Sequence, residues 1–130
     1  MVIDTSAITA ILLNEPEAHT FRLAVSRDPV RLMSTVSALE ATCVLESRRG
    51  AAAGAELELL LHKIAVQVVP FDDNQLEIAR NAWRRFGKGR HRASLNFGDC
   101  VAYALAKATG EPLLFKGTDF SQTDIRAVQA

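Results

Sequence analysis

Three apolar residues run straight into a carboxylate at the start of the chain, Met1-Val2-Ile3-Asp4. Valine and isoleucine favour strands, and the stretch behind the acid, Ala7 to Leu13, has the composition of a helix. A strand that passes through an acid into a helix predicts a central parallel strand with Asp4 at its C-terminal end. In open α/β sheets that edge is where ligands bind. Two further acids, Glu40 and Asp99, sit in helical patterns where a helix gains little from them, and we expect them to meet Asp4 around a metal.

Hydrophobic periodicity and breakers supply the rest of the order. Asn14-Glu15-Pro16 ends the first helix, and Pro16 suits the first turn of a second, Glu17 to Ser26. Val30 to Met33 reads as a strand. Ser34 or Thr35 then caps a helix that Gly50 stops, with Val36, Leu39, Cys43 and Leu45 or Glu46 marking its turns. A helix over Ala51 to Ala65, a strand over Val66 to Val69 and a helix from Asp72 or Asp73 to Phe86 follow. Gly87 to Ser94 is a polar loop, Asn96 to Thr109 an Ala-rich helix, Leu113 to Phe115 the last core strand, and Asp124 to Val128 a short tail strand. Strands alternating with helix pairs predict an α/β fold, a central parallel sheet with helices on both faces, in one domain over residues 1–130.

Fifteen basic and fifteen acidic residues cancel, so net charge alone calls for neither nucleic acid nor membrane. Cys43 and Cys100, far apart and without metal-ligand spacing, are expected to be buried thiols of a reducing compartment. No signal segment and no long apolar run is present, which predicts a cytoplasmic protein. His19, His62 and His91 are expected to be solvated or packing residues. Gly-rich phosphate loops and nucleophile elbows are missing, which leaves triphosphate and serine-hydrolase chemistry without support.

Each acid has a structural reading beside its chemical one. Glu40 is a site carboxylate or a boundary residue reaching for water. Asp99 is a ligand or, three residues after Asn96, half of a capping box. Asp4 can cap the helix it precedes, and Ser6 can do the same or orient a water. If the acids converge, their repulsion must be offset by a raised pKa or a cation, and oxygen-only ligands suit Mg²⁺ or Mn²⁺. Arg80, Arg84, Arg85, Lys88, Arg90 and Arg92 lie in a stretch with no acid, immediately before the helix of Asp99. Lys88, Arg90 and Arg92, beyond Gly87, exceed what a helix C-terminus needs. With Ser6 they are candidates for holding a polyanionic substrate.

The segments V-I-D-T-S-A, E-A-T-C-V-L-E around Glu40, L-N-F-G-D-C-V-A-Y-A-L-A around Asp99 and L-L-F-K-G-T-D-F near the end resemble the PIN-domain proteins, and among them VapC-type toxins. The resemblance spans essentially all 130 residues. It implies a three-layer α/β/α sandwich, a divalent-metal-dependent endoribonuclease and a homodimer restrained by a small cognate antitoxin. Its catalytic acids fall on Asp4, Glu40 and Asp99, with Asp4 and Asp99 on the metal. A fourth acid is expected near the last strand, where relatives read T-x-D-x-D-F. Gly117 replaces the first aspartate here, so Asp119 is left to serve. An inert PIN-like binding module and a receiver-like phosphoacceptor, with Asp72 as its acid, are the competing readings. Ala7, Ala10, Ile11 and Leu12 are expected either to line the dimer or antitoxin surface or to pack in the core.

Overall fold

In the computed structural model, which describes residues 1–130, ten elements run β1 (Val2–Ile3), α1 (Thr5–Leu12), α2 (Ala18–Arg27), β2 (Leu32–Ser34), α3 (Thr35–Arg49), α4 (Ala51–Lys63), β3 (Gln67–Val69), α5 (Asp73–Phe86), α6 (Phe97–Thr109) and β4 (Leu113–Leu114). A 3-10 turn follows at Phe120–Gln122. All strand pairs are parallel, in the order β3-β2-β1-β4. The chain winds outward from β1 to β3 and then returns to β4 on the other side of β1. That reversal opens a crevice at the carboxyl ends of β1 and β4.

Side-chain alternation along the strands sets the layers. Met1 and Ile3 join Met33 and Leu114 against Ile8, Leu45 and Leu57 of α1, α3 and α4. Val2 and Leu113 face the other way, onto Ala82 and Phe86 of α5 and Tyr103 and Leu105 of α6. The expected three-layer α/β/α sandwich is therefore present, with β1 buried at its centre.

Several details differ from the sequence reading. Helix α1 begins at Thr5, so Ser6 lies in its first turn. Ala7, Ala10 and Ile11 are buried and the half-buried Leu12 packs against the same cluster, so the core reading holds for the first three, which present no free surface. On α3 the buried stripe is Ser37, Ala41 and Leu45, spaced by four, while Leu39 is 64% exposed and Cys43 is exposed. Small residues let α3 approach its neighbouring helices closely, and this outweighs the pull of the larger Leu39. The exposed Cys43 overturns the expectation of two buried thiols; Cys100 alone is buried. The tail strand is reduced to one bridge, Leu113 to Ala127. Asp124 pins the tail by accepting from the Tyr103 hydroxyl at 2.6 Å and pairing with Lys107 at 2.9 Å. No helix is long and apolar enough to cross a membrane.

Candidate active site

Two helix caps bring the first pair of acids to the crevice. Asp4 is the N-cap of α1, its Oδ2 accepting from the Ser6 amide at 3.0 Å and the Ser6 hydroxyl at 2.5 Å. Asp99 belongs to a capping box in which its Oδ2 accepts from the Asn96 amide at 3.0 Å, while its own amide donates to Asn96 Oδ1 at 2.9 Å. Capping and ligand readings are therefore compatible. In each carboxylate one oxygen is spent on the cap, and Oδ1 accepts no hydrogen bond. Asp4 Oδ1 is not among the buried side-chain oxygens that lack a partner, so it keeps contact with solvent.

Glu40 reaches the same place from α3. Its Oε2 and Oε1 lie 2.4 and 2.6 Å from where a Cβ on Gly98 would stand. Gly98 occupies the first turn of α6, where alanine would favour the helix, and its bare Cα makes the space that the Glu40 carboxylate fills. The sequence offered one signal of this, a glycine inside a helical pattern.

Electrostatics join the acids. Asp4 is 4% exposed, and burial above all pushes its pKa up to about 7. The Ser6 hydrogen bonds oppose that rise, and the charges of Asp99 and Glu40 add to it. Asp99 is also raised, chiefly by burial and further by the charges of Asp119 and Glu40. Asp119 is exposed on the loop after β4, just before the buried Phe120, whose ring meets Phe115 at a tilt with centroids 5.1 Å apart. None of the four acids forms a salt bridge. The cluster carries its negative charge without an internal cation.

No group of three or more His, Cys, Asp or Glu side chains is disposed to hold a metal unaided. The donor set still fits a hard cation, since Mg²⁺ is commonly held by one or two carboxylates and keeps several waters. Asp4 Oδ1 and Asp99 Oδ1 are the free oxygens that such an ion requires.

The basic stretch follows α5. Lys88, Arg90 and Arg92 are exposed and form no salt bridge, whereas Arg80 pairs with Glu77 and Arg85 lies 3.7 Å from Asp124. The loop is closed at its neck by hydrogen bonds from the Lys88 amide to Leu95 O at 2.8 Å and from the Leu95 amide to Phe86 O at 2.9 Å. Leu95 directly precedes the cap of α6, so the loop springs from beside Asp99. His91 is structural: its Nδ1 accepts from the Ala93 amide at 3.0 Å and its ring meets Phe86 edge-on. His19 and His62 are exposed. Sequence reasoning missed Gly98, Lys116, and two exposed aromatics near the site, Trp83 and the 76% exposed Phe97.

Comparison with known proteins gives this architecture its class. The PIN domain family matches residues 1–126. Over 98% of the chain the sequence is 58% identical to Ribonuclease VapC of Mycolicibacterium smegmatis, covering 99% of that protein. It is 56% identical to Ribonuclease VapC30 of Mycobacterium tuberculosis, covering 98% of each. In structure it resembles the Mycobacterium tuberculosis toxin VapC20, with a TM-score of 0.81 at 21% identity over 99% of this chain and 98% of that one. A VapBC2 structure from Rickettsia felis shares the fold with a TM-score of 0.74 at 11% identity, over 98% of this chain and 96% of that one. The chain belongs to the PIN-domain family and, within it, to the VapC ribonucleases, toxins of toxin–antitoxin systems.

The state of Asp4 gives a signed test. With its folded pKa near 7 and an ordinary value of 3.8, the folded protein holds a proton that the unfolded chain gives up. The stability this contributes is full below about pH 4, is lost as pH rises to about 7, and stays lost above that. Asp4→Asn removes the titration. We expect the metal-free variant to melt higher than the parent at about pH 8, with the gap closing toward pH 4. Melting curves across that range check it, and equal melting temperatures at pH 8 refute the buried-charge account.

Proposed function

We propose that this ribonuclease hydrolyses RNA phosphodiester bonds with Mg²⁺ or Mn²⁺ held by Asp4 and Asp99. The observation that supports it is a nearly buried carboxylate beside two other acids, with no basic side chain neutralising them. When bound, the ion lowers the pKa of water and neutralises charge on the phosphate. Asp4 and Asp99 present their free oxygens to it, and their caps hold those oxygens in place. Glu40, fixed over Gly98, takes the proton of the attacking water, and Asp119 closes the rim in place of the acid that Gly117 lacks. Ser6 keeps Asp4 oriented and lies at the substrate edge. Asp99→Asn tests the core of this reading, since Asn keeps the shape and the cap while removing the charge. We expect cleavage to disappear with the folding stability changed by no more than the ~1 kcal/mol scale of a cap. Cleavage at the parent rate in Mg²⁺ or Mn²⁺ returns Asp99 to capping alone, and a parent chain that cleaves no RNA with either ion favours the inert binding module.

Lys88, Arg90 and Arg92 supply the cations that an RNA strand needs beside an acidic centre, which otherwise repels it. Replacing all three by Ala is expected to weaken RNA binding with metal affinity unchanged. Each lost single-strand phosphate contact flattens the log–log salt dependence by roughly 0.7. An unchanged salt slope makes the loop an ordinary solvated surface.

The partner reading is a cognate small antitoxin and a second copy of the chain. A groove of about 390 Å³ between α5 and α6, lined by Leu76, Trp83, Phe97 and Val101, supports the homodimer. Asp72 caps helix α5, Asp73 and Glu77 lie in its first half, and Arg84 and Arg85 lie in its last turn. Two copies related by a twofold axis, with α5 antiparallel, set acid against base at both ends of the apolar centre. Phe97→Glu is expected to turn a dimer into a monomer by light scattering. A parent chain that is monomeric, or a variant that stays dimeric, refutes this face.

A further inference from the structure

Lys116 stands two residues beyond β4, whose Leu114 carbonyl accepts from the Asp4 amide at 2.9 Å. Its amide donates to Ser6 Oγ at 3.0 Å, and Ser6 Oγ donates in turn to Asp4 Oδ2 at 2.5 Å. A hydroxyl has one proton to give. With the Lys116 amide on its lone pair, that proton points at Asp4. Two donors, the Ser6 amide and hydroxyl, then hold Oδ2 and leave Oδ1 outward.

The amide precedes Gly117, whose φ of +96° lies in the region that favours glycine. The Lys116 side chain ties this segment to a second part of the chain. Its ammonium pairs with Glu15 and lies 3.6 Å from Glu17, both in the connection between α1 and α2. Arg48 lies 4.0 Å from the other Glu15 oxygen. One Glu17 oxygen is buried without a hydrogen bond, so the pair with Lys116 is its only polar satisfaction. Asn14, at φ +52°, turns the chain so that Glu15 faces the loop after β4.

We propose that Lys116 is a positioning residue for the metal site: Glu15 and Glu17 clamp its side chain so that its amide fixes Ser6 and, through Ser6, the free oxygen of Asp4. The inference rests on the metal reading above and adds a device that governs it. Partners that orient a metal ligand from behind change metal affinity or activity by about 10- to 100-fold when removed.

Mn²⁺ titration of the full chain, followed by the signal of the free ion, reads the clamp without relying on cleavage. Lys116→Ala is expected to weaken Mn²⁺ binding by about tenfold and to lower kcat by a similar factor, with KM for RNA unchanged. Lys116→Arg keeps the charge and is expected to restore both. Glu15→Gln combined with Glu17→Gln opens the clamp from its other side and is expected to reproduce the alanine defect, which covers the case of a poorly folding Lys116→Ala. A raised KM with normal Mn²⁺ affinity and kcat overturns the proposal and makes Lys116 an RNA contact. An arginine variant as weak as alanine, or a double variant with parental Mn²⁺ affinity, overturns it as well. If the parent binds Mn²⁺ but cleaves no RNA, the nuclease reading fails while the clamp is still read from affinity.

Discussion

A carboxylate is buried at the end of the central strand with other acids beside it and no cation to answer it. The remainder of the molecule makes that arrangement possible. Asp4 is placed by β1, which lies between β2 and β4 and is covered on both faces, so its position is as rigid as the core itself. Burial raises the Asp4 pKa and the neighbouring acids add to the rise. An isolated buried charge is costly, and a protein that retains one with free oxygens is built to receive a positive ion.

The helix starts show how the cost is kept bearable. Each of the two innermost acids serves its helix with one oxygen and leaves the other without a hydrogen bond. The caps supply hydrogen bonds to the charged form, which work against desolvation, and the positive ends of α1 and α6 point into the crevice. Each carboxylate thus divides its two oxygens between a cap and an open position. Glu40 obeys the same economy, since the room it occupies exists because Gly98 has no side chain. The exposed cations lie apart from this centre: Lys88, Arg90 and Arg92 form no salt bridge and project on a loop tied at its neck beside Asp99, where they leave the acids unneutralised.

Much of this was readable from residue order. A strand leading into Asp4, a capping pattern at Asn96 and Asp99, and alternating strands and helix pairs each have local signatures, and the layers followed from them. The exposed face of α3 was not readable, because the size of Leu39 and Cys43 suggested burial while close helix packing selected Ser37 and Ala41 instead. The tail strand failed for a similar reason: its fixing comes from Asp124 meeting Tyr103 and Lys107, a contact made on folding. The approach of Lys116 to Ser6 and Glu15 joins residues about a hundred positions apart. No pattern in the chain announces such a contact. Residue order and the family resemblance both singled out the acids as candidates, and the geometry shows how their second oxygens stay free.

If the acidic centre is a cation site held partly protonated, binding must expel a proton. Calorimetric titration of Mn²⁺ at about pH 6.5, repeated in buffers of different ionisation enthalpy, counts the protons released per ion. With the Asp4 pKa at about 7, the account predicts binding accompanied by release of most of one proton, falling toward none at higher pH. Binding with no proton released, or no Mn²⁺ binding at all, would contradict it.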